Sequence, residues 1–319
     1  MSHGLRRILI RADATPQMGT GHVMRCMALL LAAQQMGIET LLTGYFDGPW
    51  LRQRLNQEKI PHHSLSPGKP SSSESPQEFL EYIQNFSPDS VILDGYHFEL
   101  SWQTAVIKAG YTLLLIDDYG HLPEYHCNLL LNQNTGVEAI SYNGIIDKKL
   151  FGPQYALLRP EFSQARKTMR PRGFEGSAQR ILISLGGGDF SYYLARLIAL
   201  ISPVVDRRSS IQVIGGSMPD EIIYNVFAKT SLTVEVLRNI KDMPSVFLNT
   251  DLCISAAGST CWELCCLGVP FITVVVAENQ NIVANWLAKS AIAPQLTIDS
   301  FRDFLDNPRA RSKASEAGI

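Results

Sequence analysis

Ile254-Ser255-Ala256-Ala257-Gly258-Ser259-Thr260-Cys261-Trp262-Glu263 is the stretch whose reading decides the fold. It reads as a strand over Asp251 to Ser255, a tight turn at Gly258, and a helix that starts at Ser259 or Thr260 and runs to about Leu267. In that geometry unpaired backbone N–H groups and the positive end of the helix dipole converge just outside Gly258, where an anion such as a phosphate can bind. Glu263 lies one turn further on, within reach of a group attached to that phosphate, a ribose being the obvious one. A plainer reading is also open, in which Thr260 and Glu263 form a capping box that only starts a helix.

A chain of 319 residues suggests two domains on a prior of roughly 150 residues each. Its apolar fraction of 45%, charged fraction of 18% and net charge of -2 give no basic surplus for nucleic acid or an anionic membrane. The six cysteines (Cys26, Cys127, Cys253, Cys261, Cys265, Cys266) are scattered among apolar segments and read as reduced thiols. Cys261 and Cys265 are one helical turn apart and could be half a metal site, but no His or second Cys pair stands at zinc-like spacing, so no metal is expected. Phe271 to Ala277, the longest late apolar run, is too short to span a bilayer. Ile8-Leu9-Ile10 is cut off by Arg11 and Asp13, short of a signal-peptide core. A cytoplasmic protein is the expectation.

In chain order, strand Arg7 to Ala12 delivers Asp13 to a loop, and Gly19-Thr20-Gly21-His22 introduces a helix through Met36 that Gly37 ends. Strand Glu39 to Gly44, a helix from Trp50 to Lys59, a surface loop over 64–76 and a helix from Gln77 to Phe86 follow. Strand Ser90 to Leu93 then ends in Asp94, and a helix runs from Glu99 to Lys108. Strand Thr112 to Ile116 ends in Asp117 and Asp118, with strand Asn128 to Leu131 after it. Short apolar strands alternating with helices mean a parallel sheet covered on both faces. The pattern stops between Pro160 and Gln179, where Lys167, Arg170 and Arg172 crowd with proline and glycine, which reads as a linker with no ligand.

The second half repeats the device: strand Arg180 to Ser184, turn Gly186-Gly187-Gly188, and a helix capped by Asp189. Strand Ser210 to Ile214, helix Asp220 to Ala228, strand Leu232 to Val236 and helix Met243 to Leu248 lead to the opening stretch. Strand Phe271 to Val276 and helix Asn279 to Lys289 complete it. The expected architecture is therefore α/β, with two Rossmann-like parallel-sheet lobes over residues 1–165 and 166–319 and a ligand cleft between them. Ligands in open α/β sheets lie beyond the carboxyl ends of strands, and all three glycine turns sit at such ends. None matches a dinucleotide fingerprint or a P-loop.

One turn ends in His22. The dipole at the start of a helix disfavours the imidazolium, and a neutral histidine facing a cleft suits general-base work. A histidine that only hydrogen-bonds a phosphate or a carbonyl fits the spacing equally. Asp13, one strand end away, is placed to orient His22, and His97 could line the same cleft.

A family resemblance rests on several segments taken together. They are Arg11-Ala12-Asp13-Ala14 with Gly19-x-Gly21-His22-x-x-Arg25, Leu115-Ile116-Asp117-Asp118, Leu129-Leu130-Leu131-Asn132-Gln133-Asn134 and Tyr155-Ala156-Leu157-Leu158-Arg159-Pro160-Glu161-Phe162. In the second half they are Gly186-Gly187-Gly188-Asp189, Ser255-Ala256-Ala257-Gly258-Ser259-Thr260-x-Trp262-Glu263 and Glu278-Asn279-Gln280. In this combination the chain resembles the UDP-sugar hydrolase of pseudaminic acid biosynthesis, which cleaves UDP-2,4-diacetamido-2,4,6-trideoxy-β-L-altropyranose. The second half more distantly resembles the lipid II glycosyltransferase, of glycosyltransferase B fold. Two departures stand out. The chain ends at Ile319, where the family has a further helix packing back across the lobes, and Asp94-Gly95-Tyr96-His97-Phe98-Glu99 follows the family pattern only loosely.

The resemblance implies an inverting hydrolase needing neither metal nor cofactor, in which His22, with Asp13, activates water against the anomeric carbon and UDP leaves. Gly258, Ser259, Thr260 and Glu263 would hold diphosphate and ribose, and the loop Arg238 to Met243, with Ile240 and Met243, would hold uracil. Sugar and phosphate contacts would come from Arg11, Gly21 and Tyr96, and from Gly187, Gly188, Asn279 and Gln280. The implied partner is a UDP-sugar; no nucleic acid or membrane partner is expected, and a monomer is compatible with the sequence. A UDP-sugar glycosyltransferase using His22 on an acceptor hydroxyl, or a catalytically silent nucleotide-sugar binding module, would share the same fold.

Overall fold

The structure, a computed structural model, describes residues 4–15, 18–46, 49–65 and 75–318. Most of the loop expected over 64–76 therefore lies outside the described residues. The chain divides into two compact units, Met1–Arg159 and Pro160–Ile319.

The first unit contains β1 (Arg7–Ala12), α1 (Gly21–Gln35), β2 (Glu39–Gly44), α2 (Pro49–Gln57), β3 (His62–Ser64), α3 (Pro76–Phe86) and β4 (Ser90–Asp94). It continues through α4 (Leu100–Lys108), β5 (Thr112–Ile116), β6 (Tyr125–Asn132) and β7 (Gly144–Phe151). All seven strands pair in parallel, in the order β3-β2-β1-β4-β5-β6-β7. The apolar strands alternate between two cores. Ile8 and Ile10 join Val23, Met27 and Leu30 of α1 and Leu51 and Leu55 of α2, whereas Leu9, Val91 and Leu93 join Phe79 and Ile83 of α3 and Trp102 and Val106 of α4. A period of 2 with both phases apolar is what a sheet covered on both faces requires.

The second unit contains α5 (Pro160–Thr168), β8 (Arg180–Ser184), α6 (Ser191–Ile201), β9 (Ser210–Ile214), α7 (Asp220–Phe227), β10 (Val234–Leu237) and α8 (Met243–Leu248). After these come β11 (Leu252–Ala256), α9 (Thr260–Cys266), β12 (Phe271–Val274), α10 (Asn281–Lys289), α11 (Ile298–Asp306) and α12 (Pro308–Gly318). Its strands are parallel in the order β10-β9-β8-β11-β12. One core collects Ile181, Ile183, Ile211, Val213 and Ile254 under α6, α7 and α11. No described helix is long and apolar enough to cross a membrane.

The structure departs from the sequence reading at several elements. The stretch read as a linker opens with α5, which packs on α8 and α9, so the boundary falls between Arg159 and Pro160, ahead of the one expected at 165. α5 escapes notice because Phe162 is its one buried anchor, although Pro160 and Glu161 at its start and Arg166 and Lys167 at its end are ordinary helix signals. β7 escapes because it is an edge strand whose Asp147, Lys148 and Lys149 face solvent, charges that discourage further pairing. Past α10 the chain forms α11 and α12, which the strand-and-turn pattern did not reveal.

Each sheet has one point at which the strand order reverses, between β1 and β4 in the first and between β8 and β11 in the second. Chains leaving neighbouring strand ends in opposite directions open a crevice there, the usual place for a ligand. On the other side of β1, the ends of β1 and β2 are in close backbone contact: Ala14 N–H donates to Tyr45 O at 2.9 Å, and a Cβ on Gly44 would stand 1.8 Å from Ala12 O. Gly44→Ala is therefore expected to destabilise the first unit by about 3 kcal/mol or more. Gly258→Ala, whose Cβ meets nothing within 4 Å, is expected to stay within about 0.5 kcal/mol of the parent; urea unfolding of both variants checks the contrast.

Candidate active site

β1 ends at Ala12, and the loop back to α1 is drawn tight by Gly19 N–H donating to Thr15 O at 2.8 Å, with Gly19 at φ 73. That turn starts α1 at Gly21 and puts His22 in its first turn, with Thr20 as an N-cap that makes no side-chain cap bond. His22 is 9% exposed. Its Nδ1 lies 2.7 Å from Asp94 Oδ1, at the last residue of β4. Burial alone would push Asp94 up, but the charge of Arg25 and then of His22 hold its carboxyl well below the usual carboxylate range. Facing an ionised carboxylate, Nδ1 must carry the hydrogen, which makes Nε2 the acceptor in the neutral ring. Nε2 has no partner among the described residues and is not among the buried unpaired atoms.

Asp13 does not orient His22. It is fully buried, paired with Arg11, accepts from Tyr45 N–H at 3.0 Å, and lies 3.2 Å from His97 Nε2. The contact carboxylate for His22 comes instead from the neighbouring strand, because β1 and β4 pair with Ala12 beside Asp94. Arg11, expected at sugar or phosphate, is 0% exposed with its guanidinium over the Tyr45 and Phe98 rings. It braces the strand end and is sealed from a ligand. Tyr96 does reach the site, its ring 5.0 Å from that of His22 and edge-on, while its hydroxyl donates to Asp118 Oδ2 at 2.6 Å. Gly21 is exposed, and a Cβ there would meet nothing within 4 Å.

Sequence reasoning missed the network behind His22. Arg25, one turn along α1, donates through Nε and Nη2 to Asp94 at 2.7 and 2.6 Å and through Nη1 to both Asp118 oxygens at 2.7 and 2.9 Å. Beside it Asp117 accepts from Tyr119 N–H at 2.8 Å, Gly120 N–H at 2.6 Å, Tyr142 hydroxyl at 2.8 Å and Tyr125 hydroxyl at 3.0 Å, and also pairs with His121. The available signals were the i, i+3 spacing of His22 and Arg25 and the acids closing β4 and following β5.

In the second unit Ser259 is the N-cap of α9 and makes no side-chain cap bond, so Thr260 and Glu263 do not form a capping box. Gly258 N–H is spent on Ala256 O at 2.8 Å. Among the described residues neither Ser259 N–H nor Thr260 N–H has a hydrogen-bond partner. Glu263 is half-buried one turn on. Gly187 and Gly188 pack by their carbonyls on the next turn, where Ser217 hydroxyl donates to Gly187 O at 2.7 Å. Asp189 accepts from Ser191 N–H at 3.0 Å, but the N-cap of α6 is Phe190, which makes no side-chain cap bond, so Asp189 is not the cap expected. The loop before α8 is pinned at both ends, by Arg238 donating to Asp220 Oδ1 at 2.6 Å and by Asp242 accepting from Ser245 N–H at 3.0 Å. Ile240 and Met243 are half-buried. Gln280 turns back, its Oε1 accepting from Val276 N–H at 3.0 Å, beside half-buried Asn279.

Two parallel-sheet α/β units with glycine turns at both strand-order reversals define the glycosyltransferase B class of fold. Residues 182–290 match the glycosyltransferase family 28 C-terminal domain, and MurG of Acinetobacter baumannii superposes with a TM-score of 0.61 at 18% identity, covering 98% of this chain and 95% of that one. Among individual proteins, the chain is 25% identical over 288 residues to the UDP-2,4-diacetamido-2,4,6-trideoxy-beta-L-altropyranose hydrolase of Campylobacter jejuni, covering 89% of this chain and 96% of that protein. It is also 25% identical over 284 residues to an uncharacterized protein of Methanocaldococcus jannaschii, 86% of this chain but only 57% of that longer protein.

Asp13, Asp94 and Asp117 are all held below the ordinary aspartate value, against burial that raises each: Asp13 chiefly by His97 and Arg11, Asp94 by Arg25 and His22, Asp117 by His121 and the Gly120 N–H. In the unfolded chain each titrates near 3.9. Below that value the unfolded state takes up protons that the folded state does not, so their stabilisation is complete above about pH 5 and is lost as pH falls through about 4 and lower. Urea midpoints measured from pH 7 down to pH 3 should fall in that window, and Asp94→Asn should flatten the fall.

Proposed function

We propose that the protein hydrolyses the anomeric C–O bond of a UDP-linked diacetamido-trideoxy sugar, with His22 as general base. The observation that carries this reading is the imidazole fixed through Nδ1 by a buried, ionised Asp94, with Nε2 left as an acceptor. A water held by Nε2 gives up its proton there as its oxygen bonds to the anomeric carbon. The electron pair of the breaking C–O bond leaves on the diphosphate, which needs no acid because it departs as an anion. Attack opposite the leaving group inverts the anomeric centre.

The nucleotide falls to the second unit. Diphosphate oxygens accept from Ser259 and Thr260 N–H groups, for which the open space at Gly258 leaves room. Because α9 has only 7 residues, the two local N–H groups rather than a long macrodipole stabilise the leaving charge. Glu263 takes the ribose hydroxyls, and the pinned loop carrying Ile240 and Met243 takes uracil. Gly21 and Tyr96 belong to the sugar, with Asn279 at sugar or phosphate. Support comes from the similarity to the Campylobacter jejuni hydrolase along nearly the whole chain. In this reading the reaction needs no metal ion and belongs to nonulosonic acid synthesis in the cytoplasm.

Incubation with a panel of UDP-diacetamido sugars in 18O-water, with no acceptor added, should place the label in the free sugar. Label in UDP would overturn attack at carbon, and no turnover until an acceptor is supplied would make the protein a transferase. His22→Ala should abolish release. Asp94→Asn, which keeps the shape but lets the ring turn or take the other tautomer, should lower kcat by about 10²–10⁴-fold. Gly258→Ala should weaken UDP binding about tenfold in calorimetry, its added methyl occupying the room left for phosphate.

A further inference from the structure

The proton balance of the site depends on a residue that never faces the substrate in the reading above. Arg25 is 7% exposed and spends its guanidinium on two carboxylates from neighbouring strand ends, Asp94 and Asp118. The groups around the His22 ring are few. Asp94 meets Nδ1 from the end of β4, and Arg25 Nη2 comes within 3.2 Å of the same nitrogen from α1. Tyr96 stands edge-on from the loop after β4. Asp118, past β5, acts on the ring through Arg25 and also accepts from Tyr96 hydroxyl and from Asn134 Nδ2 at 2.8 Å. Cys26 donates its thiol to Asp94 Oδ2 at 3.3 Å.

Burial, and then the nearby carboxylates, push the Cys26 thiol and the Tyr96 hydroxyl up, so both stay protonated and uncharged. The fixed charges are then two carboxylates and one guanidinium, a net of -1 before His22 is counted. Such a cluster draws a proton onto the imidazole, and a protonated imidazole cannot act as a base. Arg25 opposes this in two ways: it occupies both oxygens of Asp94, and it sets a positive charge beside Nδ1 that the imidazolium would have to face. Asp118 in turn absorbs part of that positive charge.

We infer that Arg25 is a positioning residue that opposes protonation of His22, with Asp118 setting how much of its charge His22 feels. The inference rests on reading His22 as the base, yet it concerns a protonation state and can be measured without turnover. The two members of the device act with opposite sign. Loss of Arg25 leaves two uncompensated carboxylates, so His22 should hold its proton to higher pH. Loss of the Asp118 charge frees more of the guanidinium field, so His22 should lose its proton at lower pH.

The test is a titration of the full chain labelled with 15N-histidine, followed by NMR of the ring nitrogens from pH 5 to 9, with the His22 signals assigned by His22→Gln. In Arg25→Gln the midpoint should rise by about one pH unit or more, in Arg25→Lys it should stay within about half a unit, and in Asp118→Asn it should fall. An unchanged or lowered midpoint in Arg25→Gln, or an unchanged or raised one in Asp118→Asn, overturns the inference. Should Arg25→Gln fail to fold, since it strands two buried carboxylates, Asp118→Asn decides alone. The acid limb of kcat/KM on the UDP-sugar separates this inference from the proposed function. A limb that moves with the NMR midpoint supports both, whereas a midpoint that moves under a fixed limb keeps Arg25 as the counterweight and removes His22 as the base.

Discussion

The ion pair of Arg25 with Asp94 is the constraint on which the first unit's site depends. A carboxylate with no exposed surface costs several kcal/mol in desolvation unless its oxygens are filled, and here Arg25, His22 and the Cys26 thiol fill them. The carboxylate is also fixed in place by the backbone, because Asp94 closes β4 with Ala12 on one side and Ile116 on the other in the parallel ladder. An interior strand of the sheet thus decides which way the imidazole points. Asp118, two residues past the end of β5, holds the far side of the same guanidinium and the Tyr96 hydroxyl. One arginine therefore ties together the ends of two neighbouring strands and the first turn of a helix.

The second unit uses the same topology for a different purpose. What β11 and α9 offer at its strand-order reversal is the backbone of the turn at Gly258. The contrast with helices that only need to begin is instructive. Ser75 with Glu78 caps α3, and Thr297 with Ser300 caps α11, in reciprocal boxes that use up the first N–H groups. α1 and α9, which stand at the two reversals, have no side-chain cap bond at Thr20 or Ser259, a feature they share with α4, α6, α7 and α10. A helix start left open costs stability and keeps donors available, which suits a surface meant for an anion.

Much of the architecture was legible because parallel strands buried on both faces must be continuously apolar. Arg7–Ala12, Thr112–Ile116 and Arg180–Ser184 are bounded in the sequence where they are bounded in space. β7 was not legible, since an edge strand satisfies half its backbone and carries lysines, and α5 was not, since a helix with a single buried phenylalanine has no apolar stripe. At the site, His22 was legible from its place after a glycine turn. Its partner was not: Asp13 is nine residues away and looked natural, while Asp94 is 72 residues away in sequence and reaches His22 only through the pairing of β1 with β4.

The sequence by itself determined the layers, the three glycine turns at strand ends and the histidine that follows the first of them, because periodicity and turn chemistry act over a few residues. Strand order was decided only in the tertiary structure. By seating β4 beside β1, it sealed Arg11 and Asp13 into the interior, gave His22 a carboxylate from a distant segment, and turned Arg25 from an ordinary helical arginine into the cation between two buried aspartates. Register and burial are properties of the whole sheet, and no local stretch of sequence carries them.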